Sequence, residues 1–227
     1  MQRFFDIVFS GMALILLSPL LLPLMVALRV TGEGEIFFPQ SRVGRGGKHF
    51  KLYKFATMLK DSPNMGTGTV TVKNDPRILP MGGLLRKTKI NELPQLINIF
   101  KGDMSVIGPR PQTQRCFNAF PESAQNDITK VRPGLSGIGS VIFRSEEDMM
   151  HANEDPNRLY DDVIMPYKGR LESWYVRNQS LMSYFFLIFI TLIIIITRST
   201  RLIFPCYPSL PRPPEDLKLF ILSDYYE

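Results

Sequence analysis

The chain is poor in cysteine, histidine and tryptophan, with two, two and one respectively in 227 residues. Cys116 and Cys206, the second in a proline-rich tail, make no disulfide framework and fit a reducing compartment. So few thiols and imidazoles also leave no zinc-type cluster, and no segment repeats. One tryptophan and the lack of a recognisable nucleic-acid module argue against nucleic acid as partner. The net charge of +6 still asks for an anion, either a nucleotide phosphate or a lipid surface. Strand-like runs are too few to alternate with helices in a doubly wound sheet. The expected fold is α/β in composition, mainly helical with a short β-hairpin, and the length is ample for one core.

What the chain does have is a long uncharged run, IVFSGMALILLSPLLLPLMVAL (7–28), between Arg3 and Asp6 before it and Arg29 after it. As a straight helix it would rise about 33 Å, enough to cross a hydrocarbon core of about 30 Å. It is too long for the apolar core of a signal peptide, and no small-residue cleavage site precedes Arg29. Ser18 and Pro19 fall near its middle and Pro23 follows one turn later, so a break is expected at Ser18-Pro19. A mild kink lets the helix span, which length alone favours; a sharp bend returns both ends to one face. Flanking arginines at both ends decide no orientation.

GEGEIFFPQSRVGRGGKHFKLYKFATM (32–58) reads as strand, glycine turn and strand. Its basic residues, Arg42, Arg45, Lys48, Lys51 and Lys54, with Lys60 just beyond, follow the apolar run closely and suit anionic headgroups. Most read as solvated; Lys54, alternating with Tyr53 and Phe55, is the one expected to face a ligand. His49 reads as surface. Residues 61–74 read as a loop, with Asp75, Pro76 and Arg77 turning at its end. In KTKINELPQL (87–96) a helix start explains Asn91 as N-cap and Glu92 as a first-turn acid. Leu93, Leu96, Ile97 and Phe100 then form a buried stripe, and Gly102 is the stop.

Two loops complicate that plain reading. In GDMSVIGPRPQ (102–112), Pro109 and Pro111 lock the backbone on both sides of Arg110, and a guanidinium held stiffly suits a bidentate phosphate contact. In RPGLSGIG (132–139), Arg132 stands against Pro133 and three glycines, Gly134 among them, permit close backbone approach to a ligand.

Taken together, KFATM, DPRI, LLRKTKINELPQLINIFKGDMSVIGPRP and RPGLSGIGSV, behind an apolar segment broken at Ser-Pro, resemble the bacterial sugar transferases known as monotopic phosphoglycosyl transferases. The resemblance covers about residues 1–185. It implies transfer of a sugar 1-phosphate from a nucleotide diphosphate sugar, usually a UDP-sugar, to polyprenol phosphate, giving polyprenyl diphosphate sugar and a nucleoside monophosphate. It also implies a re-entrant rather than spanning N-terminal helix, interfacial amphipathic helices, membrane lipids as partners and a cytosolic site at the inner membrane. Lys54, Arg86, Lys87, Gln95, Pro109, Arg110, Pro111, Arg132 and Gly134 are the expected substrate-binding residues. Glu92 is the expected Mg²⁺ ligand and, with Asn91, the catalytic pair, at a helix end whose dipole faces the phosphates.

The chain departs from the family pattern at that pair. The family has Asp-Glu, the aspartate taking the phosphosugar covalently; an amide at Asn91 has no anionic oxygen for such an attack. Three readings stay open: Glu92 as nucleophile, direct attack by the polyprenol phosphate, or an inactive, substrate-holding chain, including one whose aspartate was replaced to trap substrate. Ala56 is a smaller departure, where arginine is more usual.

The C-terminal half is less informative. The acidic region 145–172, with Glu146, Glu147, Asp148, Glu154, Asp155, Asp161 and Asp162, reads mostly as solvated loop and helix surface. IMPYKGRLESWYVRNQSL (164–181) reads as a helix after Pro166, with Trp174 and Tyr175 packed or interfacial. SYFFLIFITLIIIIT (183–197) rises only about 22 Å, short of a crossing, and reads as a core or interface helix. The tail PCYPSLPRPPED (205–216) reads as extended, with a partner or a second copy as candidate contacts. The expected divisions are a membrane helix over 1–31, a catalytic domain over 32–182, an apolar helix over 183–204 and the tail over 205–227.

Overall fold

The computed structural model describes residues 1–66, 75–144, 146, 149, 156–197 and 203–222. The fold is mainly helical, with one long apolar N-terminal helix and two small sheets. Helix α1, Gln2–Val30, contains both Pro19 and Pro23. Ser18-Pro19 does not end the helix, contrary to the expected break. Pro19 has no N–H for the carbonyl of Ile15, and the Ser18 hydroxyl donates to that carbonyl at 2.8 Å in its place.

Strands β1 (Phe37–Val43) and β2 (His49–Phe55) form the expected antiparallel hairpin, paired from Phe37↔Phe55 to Val43↔His49. The turn between them holds Gly46 and Gly47 at φ 68° and 72°. His49 stays on the surface, bonded to Ser41 and Gln114. Asp75 and Arg77 form a buried ion pair. The part of the expected loop at 67–74 lies outside the described residues, as do Glu147, Asp148, Glu154 and Asp155. Helix α2 (Pro80–Lys87) leads to α3 (Gln95–Lys101), which ends at Gly102 in the left-handed region, as expected.

The stripe on α3 needs correction. Leu96 and Ile99 are buried, Leu93 is half-buried, and Ile97 and Phe100 are exposed. The buried face includes Asn98, whose amide bridges to the backbone of Tyr53 and Lys51 on β2. A polar residue on the stripe therefore docks the helix on the hairpin.

A second sheet, not foreseen, pairs β3 (Ser105–Ile107) with β4 (Gly134–Ser136) in parallel. Around it lie α4 (Gln114–Asn118), α5 (Glu122–Ile128) and α6 (Ile138–Ile142). Helix α7 (Pro156–Leu159) continues through a π-helical turn, Tyr160–Ile164, into α8 (Met165–Arg177). Tyr175 is buried and Trp174 packs edge-on against Tyr207. Helix α9, Leu181–Thr197, buries Tyr184, Leu187, Ile190 and Ile194 and exposes Met182, Phe189, Leu192, Ile195 and Ile196. One side of this helix is therefore part of the main core and the other is uncovered.

The tail is not simply extended. Short helices α10 (Ile203–Cys206) and α11 (Glu215–Leu222) flank its prolines, and Leu210, Leu217 and Ile221 enter the main core. Tyr167 donates to the carbonyl of Pro211 at 2.9 Å. Apolar residues between and after the prolines give the tail a face to bury on its own domain.

Helix α1 lies along this body. At its start Arg3 donates to the carbonyls of Ile99 and Phe100 at the end of α3. Asp6 is 1 % exposed, and its Oδ1 accepts from Ser105 Oγ at 2.9 Å, Val106 N at 2.9 Å and Tyr184 OH at 3.0 Å. Its middle packs with Leu96 and Ile99, and Leu21 and Leu28 cluster with Phe55 and Leu85. Replacing Asp6 with Ala strands three buried donors. The expected cost is on the order of 3 kcal/mol, measured as a lower urea midpoint of the detergent-solubilised chain followed by Trp174 fluorescence.

Candidate active site

The site gathers at the meeting of β2, the α2–α3 connection and the loop after β3. Lys89 adopts φ 59°, the one non-glycine residue with positive φ among those described. Such a residue costs of order 1 kcal/mol and marks a constrained turn. It launches a 3-10 turn, Ile90–Glu92, ahead of α3. Asn91 is thus not the helix cap that the sequence suggests: Pro94 precedes α3, and Asn91 Oδ1 is buried without a hydrogen-bond partner. The intervening tight turn takes the place of a side-chain cap.

Glu92 points between two cations. Arg110 donates from Nη2 to Oε1 at 2.8 Å and, more loosely, from Nη1 to Oε2 at 3.5 Å. Lys54 Nζ stands 3.4 Å from Oε1. The side chains of Lys54 and Glu92 are 19 % and 12 % exposed, but Arg110 is 30 % exposed, so the cluster opens at the arginine. Burial pushes the Glu92 carboxyl up, but Arg110 and Lys54 outweigh it and hold the group well below the usual carboxylate range. Burial lowers Lys54 to about 8, with Glu92 opposing and Arg110 and Arg42 reinforcing. Glu92 in turn raises Arg110.

Arg42, read from the sequence only as one of several basic residues, belongs to this cluster. It donates to Pro111 O at 3.3 Å and to Gln40 Oε1 at 2.6 Å, and its Nε is buried and unpartnered. Burial and the charge of Arg110 lower its pKa to about 10. Three cationic side chains therefore share the single carboxylate of Glu92. The surplus positive charge suits a polyanion such as a diphosphate.

Other expected residues fall around this centre. Gln95 is 2 % exposed, one helical turn after Asn91, with Nε2 unpartnered. Arg86 and Lys87 lie in the last turn of α2, Arg86 against Met58 Sδ and Lys87 exposed. Arg132 donates to Gly102 O at 2.8 Å and so serves the end of α3 rather than the Glu92 cluster. Pro109 and Pro111 are buried beside Arg110. At Gly134 a Cβ would stand 2.1 Å from Gly108 N, and at Gly137 2.2 Å from Gly108 O. The close approach that these glycines permit is therefore made by the other loop's backbone. Ala56 is buried at 3 % exposure.

Sequence reasoning also missed Lys168 and Glu172, 2 % and 1 % exposed on α8. A signal was available, since both fall on the helical stripe that carries Leu171 and Tyr175. Glu172 Oε1 accepts the backbone N–H of Arg110 at 3.2 Å, and Lys168 pairs with Glu146 at 2.7 Å.

Residues 1–198 match the family model described as bacterial sugar transferase. The chain belongs to this family. Among similar proteins of the family is the exopolysaccharide production protein ExoY of Rhizobium meliloti (strain 1021). It is 31 % identical over 205 residues, covering 84 % of this chain and 83 % of that protein. The UDP-N-acetylgalactosamine-undecaprenyl-phosphate N-acetylgalactosaminephosphotransferase of Aeromonas hydrophila is 33 % identical, over 86 % of this chain and 44 % of its own length. The UDP-glucose:undecaprenyl-phosphate glucose-1-phosphate transferase of Escherichia coli (strain K12) is 34 % identical, over 68 % of this chain and 34 % of its own. The chain thus spans less than half the length of the last two relatives.

For this sugar transferase, Lys54 gives the cluster a titration of its own. Below about pH 8 its ammonium is present; as pH rises through that value the charge is lost. Affinity for a nucleoside diphosphate is expected to fall above pH 8, by up to about tenfold per pH unit. Lys54→Arg, which does not titrate there, should flatten the fall in isothermal titration.

Proposed function

We propose that the chain transfers a sugar 1-phosphate from a UDP-sugar to polyprenol phosphate, releasing UMP and leaving a polyprenyl diphosphate sugar. The reaction would begin assembly of an exopolysaccharide or related glycoconjugate on its lipid carrier. The observation that carries the reading is the half-buried Lys54–Glu92–Arg110 cluster, with Arg42 adding to its positive surplus. The names of the similar transferases supply the substrate classes.

In such a transfer an oxygen of the acceptor phosphate attacks the phosphorus that bears the sugar. The bond from that phosphorus to the bridging oxygen breaks, and UMP leaves with the electron pair. The work of the protein is to neutralise and align charge. Arg110, the most open cation, meets the diphosphate, while Lys54 and Arg42 raise the local potential. Both oxygens of Glu92 face Arg110 and Lys54, so the carboxylate is better suited to holding ligands in register than to free nucleophilic attack. Asn91 has no anionic oxygen; direct attack by the acceptor phosphate is therefore the reading adopted.

Mg²⁺ fits this site in its donor chemistry. No group of three or more His, Cys, Asp or Glu is gathered among the described residues. However, Mg²⁺ commonly uses one or two protein oxygens together with substrate phosphates and water. Glu92 Oε2, with only its long contact to Arg110, and the orphaned Asn91 Oδ1 are the two that would hold it. The ion would neutralise charge on the diphosphate.

We also read α1 as re-entrant at the cytosolic face of the inner membrane, turning at Pro19 and Pro23 while staying helical. Its start is tied to α3, β3 and α9 by Arg3 and Asp6. Its end is tied to the same body by the Leu28–Leu85 cluster and by Thr31 against Met81 Sδ. A helix fastened at both ends to one polar domain does not deliver its second end across a bilayer. Phe5 and Phe9 of α1 pack on Phe185 of α9, so the exposed apolar faces of the two helices adjoin. Membrane lipids are the natural cover for that surface.

The decisive assay is UMP release from a panel of UDP-sugars in the presence of polyprenol phosphate. Release with at least one donor is expected, Glu92→Gln should lower it at least about 100-fold, and labelled sugar phosphate should not remain on the wild-type protein. No release from any donor despite intact nucleotide binding would sink the catalytic reading, and a trapped label would sink direct transfer. Cysteines placed at Gln2 and Thr31 should both label from the cytosolic side of membrane vesicles; labelling from opposite sides would make α1 a span.

A further inference from the structure

Behind Arg110 stands a carboxylate that the transfer described above leaves unused. Glu172 is on α8 and 1 % exposed. Its Oε1 accepts the backbone N–H of Arg110 at 3.2 Å, while Oε2 is buried with no hydrogen-bond partner. Space for the carboxylate depends on Gly139 of α6, where a Cβ would stand 2.3 Å from Oε1. Lys168, one turn earlier on α8, gives its ammonium to Glu146 rather than to Glu172. Burying a carboxylate with so few partners is costly, and an apolar side chain of similar size would avoid the cost.

The bond it makes has a particular target. Proline has no N–H, so Arg110 carries the only backbone donor of the Pro109–Arg110–Pro111 segment. Among the described residues, each member of that segment has one backbone anchor. Gly134 N donates to Pro109 O at 2.8 Å, Arg110 N to Glu172, and Arg42 Nη1 to Pro111 O at 3.3 Å. Glu172 holds the central one, directly under the side chain that reaches Glu92.

We propose that Glu172 is a positioning residue for transfer: through the backbone N–H of Arg110 it keeps the guanidinium aligned with Glu92 and with the donor diphosphate. This rests on the reading of Arg110 as a diphosphate ligand. Glu172 faces Arg110 from the loop and Lys168 and Tyr175 from its own helix; α6 offers no charged residue. Burial raises the Glu172 carboxyl to about 7, opposed by the N–H of Arg110 and by the charges of Lys168 and Arg110. The anion is the stronger acceptor for that N–H, so alignment tightens as pH rises through neutrality.

The test compares wild type, Glu172→Ala and Glu172→Gln as full-length protein in lipid nanodiscs. It measures kcat and donor KM from about pH 5.5 to 8.5, and UDP binding by calorimetry. Glu172→Ala should lower kcat/KM about 10- to 100-fold. Glu172→Gln keeps an acceptor oxygen, so it should recover most of that loss and abolish the rise in rate near pH 7. A wild-type pH profile in Glu172→Gln overturns the role, and that variant decides alone if Glu172→Ala does not fold. Should the wild type bind UDP without turning over any donor, the functional reading fails separately. A tenfold weakening of UDP binding in Glu172→Ala, largely restored in Glu172→Gln, then supports the positioning role, and unchanged binding in Glu172→Ala overturns it. If the alanine variant does not fold, loss in Glu172→Gln of the wild-type change in UDP affinity near pH 7 supports the role and its persistence overturns it. Absence of UDP binding by the wild type overturns both.

Discussion

Asp6 carries its carboxylate from the first turns of the apolar helix into the junction of β3 and α9, where one oxygen serves a hydroxyl, a backbone N–H and a phenol. Such a group is tolerated in a dry interior because every donor around it is met. The junction sets the path of the rest. β3 runs on within four residues to Arg110, and Arg3, one turn before Asp6, closes the end of the helix that follows Glu92. The apolar helix therefore touches the two segments that present the charged cluster. A long apolar helix placed this way also acts as part of the frame of the site.

The cluster is arranged against its own comfort. Burial, reinforced by the repulsion among Arg42, Lys54 and Arg110, lowers the pKa values of Arg42 and Lys54, and Glu92 is the anion that all three sense. Arg42 Nε, Asn91 Oδ1 and Gln95 Nε2 have no partners. Like charges and orphaned polar atoms cost free energy in a protein interior, and a phosphate-bearing ligand with its cation would relieve that cost. The lengths of Pro-Arg-Pro and the strained Lys89 turn hold the groups in place before any ligand arrives.

Much of this was legible in the residues. The uncharged run, the hairpin with Lys54, the stop at Gly102 and a helix over 183–197 follow from apolar runs and from glycine or proline chemistry, and the structure has each of them. Arg110 stood out because two prolines hold it. Asn91 misled as a cap, since the left-handed Lys89 places a tight turn before α3. The tail misled because proline content says nothing about which face Leu210, Leu217 and Ile221 cover. Arg42 was hidden among surface cations, and Glu172 among acids read as solvated.

The residues alone determined the long apolar helix, the hairpin and the family, because these depend on spacing along the chain and on motifs that persist as words. Only the tertiary structure decided which charges meet. Lys54, Glu92, Arg110 and Glu172 lie 38, 18 and 62 residues apart in the pairs they form, and nothing local links such positions. Long-range pairing comes from how α1, the hairpin, α3 and α8 pack, and that packing turns four separate charged residues into one supported site.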